Sequence, residues 1–135
     1  MTIFFYAFLL TFSTYSNEKI LKDDFINLPQ LDHNIKYVFD SNVVHKLFLK
    51  SNRTYFKIAF IGAKVVNFQT KNSKITDFQA IDTNIFSAKM VGLKMRNCVL
   101  KNVNFYYSDL GFSDFTSCEM ENVKFINTVI YGTRI

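Results

Sequence analysis

The chain has 135 residues, enough for one domain, and its hydrophobic fraction of 49% is sufficient to bury a continuous core. One proline, four glycines and sixteen phenylalanines exclude collagen-like and intrinsically disordered classes of protein. The net charge of +5 fits an acidic partner, and it equally fits ordinary solubility. Basic residues concentrate between Arg53 and Lys101, and the balance turns mildly acidic from Asp109 onward.

An apolar stretch opens the chain. Residues Ile3 to Phe12 precede the small residues Thr14 and Ser16, a pattern typical of a secretory signal peptide cleaved before Asn17. The stretch is shorter than the roughly 20 apolar residues that span a membrane. We therefore expect residues 1–16 to be a signal peptide and the protein to be secreted or periplasmic. The alternative is an uncleaved apolar segment that packs on the protein or associates it with a membrane.

Residues 17–52 have a different pattern, which indicates a partly helical N-terminal cap. Glu18 to Phe25 is predicted to form a short helix that ends before Pro29. Ser41 or Asn42 is then placed to cap a second helix. The apolar residues of this second helix are Val43, Val44, Leu47 and Phe48. We expect both histidines, at positions 33 and 45, to be structural, because neither has acidic or thiol neighbours at ligand spacing.

A five-residue repeat runs from Thr83 to the last residue. Every third position of the repeat is large and apolar: Ile85, Met90, Met95, Leu100, Phe105, Leu110, Phe115, Met120, Phe125, Ile130 and Ile135. The first position is mostly small or β-branched, and the fifth is rich in Asn, Gly and Ser. A period of five matches neither a helix nor a continuous strand. Each unit is therefore predicted to be one short strand, with positions one and three inward, followed by one corner.

This pattern resembles the pentapeptide-repeat family, whose units have a small residue, then Asp or Asn, then Leu or Phe. Ser108-Asp109-Leu110 and Ser113-Asp114-Phe115 match it closely. The resemblance implies an all-β fold, a right-handed quadrilateral β-helix with four units in each coil. We expect about four coils over residues 53–135. Upstream, Phe68 and Phe78 fall out of phase unless they occupy the inward first position, and we prefer this continuous register to a slip near Ile81.

A coil of 20 residues places residues i and i+20 one strand spacing apart, about 4.8 Å. Neighbouring coils are then predicted to pair Lys89 with Asp109 and Lys101 with Glu121. A third column alternates in charge, and the inward Phe105 and Phe125 and the corner Asn102 and Asn122 stack; the column is Lys94, Asp114 and Arg134.

Cys98 and Cys118 fall in one inward column, which raises the question of a disulfide. Parallel side chains about 4.8 Å apart hold the Cβ atoms farther apart than the roughly 3.8 Å that a relaxed bridge prefers. We therefore expect two buried, reduced, structural cysteines.

Six apolar and aromatic residues are predicted to lie on the outside. Phe86, Tyr106 and Ile126 share one outer column, with Tyr107 beside it and Phe112 and Tyr131 around the next corner. Such an exposed stripe marks either a protein interface or a surface that the N-terminal segment covers. A second face carries Lys57, Lys74, Lys94 and Arg96, where an anionic partner is the alternative ligand. The coil at Ile135 has no capping helix after it, so pairing with a second copy or a partner is expected there.

The sequence contains no motif for a nucleophile, a phosphate loop or a metal site, so we expect no enzymatic activity and no cofactor. The predicted function is a protein-binding or scaffolding repeat protein, with a polyanion-binding module as the alternative. The positive charge argues against the acidic DNA mimicry known for some members of the resembling family. Nucleic-acid binding would need a longer basic track with aromatic platforms.

Overall fold

The computed structural model describes residues 18–21, 25–28, 36–40 and 43–135, and these residues form strands and turns without a helix. It follows that no described helix is long and apolar enough to cross a membrane. The strands are β1 (Glu18–Leu21), β2 (Phe25–Leu28), β3 (Lys36–Asp40), β4 (Val43–Leu49), β5 (Thr54–Phe56), β6 (Ile58–Ile61), β7 (Lys64–Val66), β8 (Gln69–Lys71), β9 (Lys74–Thr76), β10 (Gln79–Phe86), β11 (Lys89–Val91), β12 (Lys94–Arg96), β13 (Cys98–Tyr106) and β14 (Cys118–Ile126).

The strands wind into a β-solenoid of about four coils with 20 residues in each coil. All strand pairs are parallel, and from Thr54 onward the paired residues are 20 apart, as in Thr54↔Lys74 and Lys74↔Lys94. The same spacing holds across the predicted slip point, where Ile81 pairs with both Ile61 and Lys101. The continuous register and the quadrilateral β-helix are thereby confirmed. We number the sides of the coil that starts at Thr83 as side 1 (83–87), side 2 (88–92), side 3 (93–97) and side 4 (98–102), and residues 20 apart share a side.

The corners have a left-handed backbone. From Asn52 to Gly132, every fifth residue except Ser117 has a positive φ, between 46° and 71°. Asn and Gly tolerate this region with the least steric cost, which explains their frequency at the fifth position. Corner side chains also pair between coils, because Asn102 Nδ2 donates to Asp82 Oδ1 and Asn122 Nδ2 donates to Asn102 Oδ1, both at 2.9 Å. The turn chemistry predicted from the repeat is confirmed.

The core is filled from the first and third positions of each unit. Phe68 and Phe78 are 0% and 2% exposed at first positions, where the small Ala80 gives them room. Where the first position is Ser or Thr, the hydroxyl serves the corner backbone: Ser113 Oγ donates to Met90 O at 2.6 Å and accepts from Leu93 N at 3.1 Å. These inward hydroxyls are therefore buried without an unsatisfied polar group.

The solenoid extends upstream of the expected boundary at residue 53. Strands β3 and β4 pair with β6, β7 and β8, and the residues Tyr37, Phe39, Val44, Leu47 and Leu49 are buried in the core. The second predicted helix is therefore wrong, because Val43–Leu49 is a strand. Glu18–Leu21, part of the first predicted helix, is also a strand, and residues 22–24 lie outside the described residues. The error has a geometric cause: inward residues that flank a corner, such as Val44 and Leu47, are three apart, which is also a helical spacing.

The predicted ladders are confirmed. Lys89 pairs in register with Asp109, and the Lys101 Nζ to Glu121 Oε1 distance is 3.9 Å. The Phe105 and Phe125 rings stack with centroids 5.3 Å apart and planes inclined by 10°. Both charged partners of Lys101–Glu121 are at least half exposed, so this pair contributes only about 0 to 1 kcal/mol.

The expectation of reduced cysteines is wrong. Cys98 and Cys118 form a disulfide, and they pair in register on consecutive coils. Their Cα atoms are 4.4 Å apart, closer than the strand spacing from which the expectation was argued and within the range of native disulfides. The bond joins the last two coils of the solenoid covalently.

Candidate functional site

The six predicted contact residues divide into two groups. Phe86, Tyr106 and Ile126 form one column on side 1, as expected, but all three are half-buried. The Phe86 and Tyr106 rings stack with centroids 4.6 Å apart, and Lys64 Nζ lies 5.2 Å from the centroid of the Phe86 ring. Much of this column's apolar surface is therefore used by contacts within the solenoid.

The other three residues form an exposed group, which we call the aromatic cluster: Tyr107, Phe112 and Tyr131. Their side chains are 66%, 64% and 75% exposed. Tyr107 and Phe112 occupy the two corners that bound side 2 in one coil, and Tyr131 lies on side 2 of the next coil. The Phe112 and Tyr131 rings meet edge to face with centroids 5.5 Å apart. Of the two groups, the aromatic cluster is the one available to a partner.

The backbone beneath the aromatic cluster is in an unfavourable conformation. Tyr107 has φ 51° and Phe112 has φ 59°, in the left-handed region where a bulky side chain costs about 1 to 2 kcal/mol. The equivalent corner residues one coil earlier are Ser87 and Gly92. Since neither aromatic ring is buried, the core does not compensate for this cost. Strain of this kind is a recognised mark of a functional position.

The Phe112 ring requires a glycine below it. Gly132 follows Phe112 by one coil and has φ 71°. A Cβ atom at this position would lie 2.6 Å from Phe112 Cδ1. Gly132 therefore serves both the left-handed corner and the close approach of the aromatic ring.

The basic residues proposed for an anionic partner lie on or beside side 3. Lys74 and Lys94 are direct neighbours on consecutive coils, Arg96 is two residues beyond Lys94, and Lys57 occupies a corner. Asp114 lies next to Lys94 in the same column, and its Oδ2 is 3.6 Å from Arg96 Nη1. Side 3 thus alternates in charge and does not form a continuous basic track.

Asp114 is the most strongly coordinated carboxylate among the described residues. Its Oδ1 accepts hydrogen bonds from Thr116 Oγ1 at 2.6 Å and Thr116 N at 3.0 Å, and its Oδ2 is 2.6 Å from Arg134 Nη2. The Thr116 hydrogen bonds, together with Arg134, hold the pKa of Asp114 well below its usual range. An ionised carboxylate with donors on both oxygens is a structural anchor for the last coil.

The described residues contain no group of three His, Cys, Asp or Glu side chains placed to hold a metal ion. His45 lies on side 1 in register with Val66. His33 lies outside the described residues.

Sequence reasoning missed one feature, a cleft on side 2 near the first coil. It is lined by Phe48, Lys50, Lys71, Lys89 and Val91, among others. These residues are far apart in sequence, and Lys71 and Lys89 become neighbours only through the 20-residue ladder that joins β8 and β11. Phe48 joins them through a different offset, since it pairs with Gln69, 21 residues away. The repeat spacing contained a signal for the two lysines but not for Phe48 or Lys50.

The geometry defines a parallel β-solenoid with a five-residue unit and four sides. The family model described as "Pentapeptide repeats (8 copies)" matches residues 83–122 and 94–132. The resemblance to the pentapeptide-repeat family is confirmed, and the chain contains pentapeptide repeats over residues 83–132. A solved structure is similar in fold, the crystal structure of a pentapeptide repeat protein, Rfr23, from the cyanobacterium Cyanothece 51142. The two chains share 11% sequence identity with a TM-score of 0.55, over 89% of this chain and 88% of the other. No curated protein matches the chain in sequence.

Proposed function

We propose that the chain is a non-enzymatic repeat scaffold that binds a protein partner through the aromatic cluster. The observation that carries the proposal is the combination of exposure and strain at Tyr107 and Phe112, which are about two-thirds exposed on left-handed corners. A residue chosen for stability at such a corner would be Asn or Gly. Exposed Tyr and Phe are enriched at protein interfaces, where they supply a large contact area at a low cost in conformational entropy.

The solenoid supports this function by holding the contact residues in place. The strand ladder, the Cys98–Cys118 disulfide and the Asp114–Arg134 pair all tie the last coil to the coil before it. A partner would therefore meet rings whose backbone is already ordered, which lowers the entropic cost of binding.

Site-specific photo-crosslinking tests the proposal. A benzoylphenylalanine placed at position 112 in the native host should crosslink one protein reproducibly, whereas the same residue placed at position 94 should not. The mass of the adduct also shows whether the partner is another protein or a second copy of this chain. The second outcome is plausible because Ile130 and Ile135 of the last coil are 42% and 60% exposed.

Calorimetry with the purified partner then tests the role of each residue. The Tyr107→Asn/Phe112→Asn variant should bind at least about tenfold more weakly, because aromatic anchors dominate interface energies. The matched control is Phe86→Leu/Tyr106→Leu on side 1, which should bind within about twofold of the wild type if the half-buried column is internal packing. Equal losses in both variants, or no crosslink at position 112, would contradict the proposal.

The alternative function is polyanion binding through Lys57, Lys74, Lys94 and Arg96. The adjacency of Lys74 and Lys94 supports it, and the engagement of Arg96 by Asp114 weakens it. Salt separates the two functions, because polyanion binding weakens steeply with ionic strength whereas an apolar contact does not. Binding of heparin that is lost between low and physiological salt, and lost in Lys74→Gln/Lys94→Gln, would favour the alternative.

Secretion or periplasmic location is part of the same proposal. The Cys98–Cys118 disulfide supports it, since disulfides persist in oxidising compartments. The mass of the intact protein from its native host tests it: a chain that begins at Asn17 agrees with secretion, and a chain that retains residues 1–16 points to the membrane-associated alternative.

A further inference from the structure

The cleft on side 2 lies at the opposite end of that side from the aromatic cluster. Its volume is about 670 Å³, within the range of small-molecule sites. Its walls come from three successive coils, because Phe48, Lys71 and Val91 each belong to a different one.

A break in the repeat accompanies this cleft. Phe48 pairs with Gln69 at an offset of 21, whereas Thr54 pairs with Lys74 at an offset of 20. The first coil therefore holds one extra residue between Phe48 and Thr54, at the edge of the cleft. Elsewhere from Thr54 onward the 20-residue ladder is uninterrupted. A local departure from an otherwise consistent pattern is expected at functional sites.

The enlarged corner is held in place by side chains from the core. Tyr55 Oη donates to the Lys50 carbonyl at 2.8 Å, and Ser73 Oγ donates to the same oxygen at 3.3 Å. Thr70 Oγ1, itself buried, donates to Ser73 Oγ at 2.7 Å. This network of hydrogen bonds supports the wall from behind, so the cleft is a built feature of the solenoid.

The cleft combines positive charge with apolar surface. Lys50, Lys71 and Lys89 line it, all three are exposed, and none forms a salt bridge with a carboxylate of the described residues. Phe48 is 40% exposed, and Val91 faces it from the third coil. No acidic residue lies among the described lining residues.

We propose that this cleft binds a small amphipathic anion, of the class of medium-chain aliphatic carboxylates. The apolar tail would lie against Phe48 and Val91, and the carboxylate would face the three lysine ammonium groups. A purely polar anion such as phosphate would leave the apolar wall without a partner, and a neutral chain would leave the lysines without one. The site is separate from the aromatic cluster and does not depend on its role.

Calorimetric titration of the full-length chain with decanoate, below its micelle concentration, tests the proposal. Wild-type protein should bind decanoate at one site, and should bind decanol and decyltrimethylammonium at least about tenfold more weakly, since the lysines select the anion. Removal of three rim charges in Lys50→Gln/Lys71→Gln/Lys89→Gln should weaken decanoate binding by about tenfold or more. The matched control Lys57→Gln/Lys74→Gln/Lys94→Gln removes the same charge from the other face and should change the affinity by less than about twofold.

A second variant tests the apolar wall independently of net charge. Val91→Gln should weaken decanoate binding and leave phosphate binding unchanged, while Tyr107→Asn/Phe112→Asn should retain full decanoate affinity. Thermal unfolding followed by circular dichroism verifies that each variant is folded. The proposal is overturned if the two lysine triples lose affinity equally, if decanol binds as well as decanoate, or if Val91→Gln binds decanoate like the wild type.

Discussion

The upstream and downstream coils of the solenoid solve the same packing problem differently. In the upstream coils the core phenylalanines meet at an angle: the Phe60 ring is 5.1 Å from Phe39 at 47°, 5.8 Å from Phe68 at 75°, and 5.5 Å from Phe78 at 76°. In the downstream coils Phe105 and Phe125 stack nearly parallel, at 10°. The difference arises because upstream Phe residues occupy both first and third positions, whereas downstream they recur in one column.

Regularity of sequence and burial run in opposite directions along the chain. The upstream coils depart from the repeat and contain an extra residue, yet Phe39, Phe60 and Phe68 are all 0% exposed. The downstream coils follow the repeat closely, yet Cys118, Met120, Val123 and Phe125 are only partly buried. A regular repeat therefore predicts the stacking of coils but not the depth of the core, and the last coil depends on additional links such as the disulfide.

The largest expected effect tests the depth of the upstream core. Phe60→Ala should lower the free energy of unfolding by about 3 to 5 kcal/mol, because it removes a fully buried ring that three other rings contact. Phe125→Ala is the matched downstream change and should cost clearly less, since its side chain is only partly buried. Urea denaturation of both variants measures the difference, and equal losses would show that the two regions are energetically alike.

The second effect tests how much the downstream region depends on its covalent link. Cys98→Ala/Cys118→Ala should lower the free energy of unfolding by about 3 kcal/mol, as expected for a disulfide that closes a loop of this length. Hydrogen exchange should accelerate mainly in β13 and β14, and not in β6. Wild-type protein treated with reductant serves as the control and should approach the same midpoint. A wild-type midpoint unaffected by reductant would contradict the closed bond.

The third effect concerns the downstream corners. Gly132→Ala should destabilise the protein by about 1 to 2 kcal/mol, because it places a Cβ on a left-handed corner and against the Phe112 ring. Gly111→Ala is the control, since Gly111 is absent from the positive-φ residues and its added Cβ would meet only Asp109 Oδ1, at 3.2 Å, and the Tyr131 carbonyl oxygen, at 3.6 Å. Thermal unfolding of the two variants should differ, and the Gly132→Ala loss should shrink when Phe112→Asn is added.

The smallest effect is confined to acid pH and involves Asp114. Its pKa in the folded state is lowered by Thr116 and Arg134, so its stabilising contribution is present above the unfolded pKa of about 3.9 and is lost as pH falls toward the folded value. Asp114→Asn should flatten the part of the stability profile below about pH 4. The exposed Glu121→Gln should leave that part unchanged. An identical acid limb in the wild type and Asp114→Asn would contradict the assignment.

The candidate sites were predicted unequally from the sequence. The 20-residue ladder correctly placed Phe86, Tyr106 and Ile126 in one column, because residues on equivalent positions must stack. It did not predict that Phe86 and Tyr106 would be half-buried and Tyr107 exposed, since burial depends on how neighbouring rings pack. The lysine-lined cleft was missed because it depends on one extra residue in the first coil.

The sequence by itself determined the repeat, the coil length and the register, because side chains of period five can be buried and turned in only one regular way. It also determined the charge and asparagine ladders, which follow from a spacing of 20 residues. Only the tertiary structure decided where the solenoid begins, since inward residues on either side of a corner, such as Val44 and Leu47, have the same spacing as a helical face. It likewise decided the state of Cys98 and Cys118, because a Cα separation of 4.4 Å differs from an average strand spacing by a few tenths of an ångström, and that difference permits the bond.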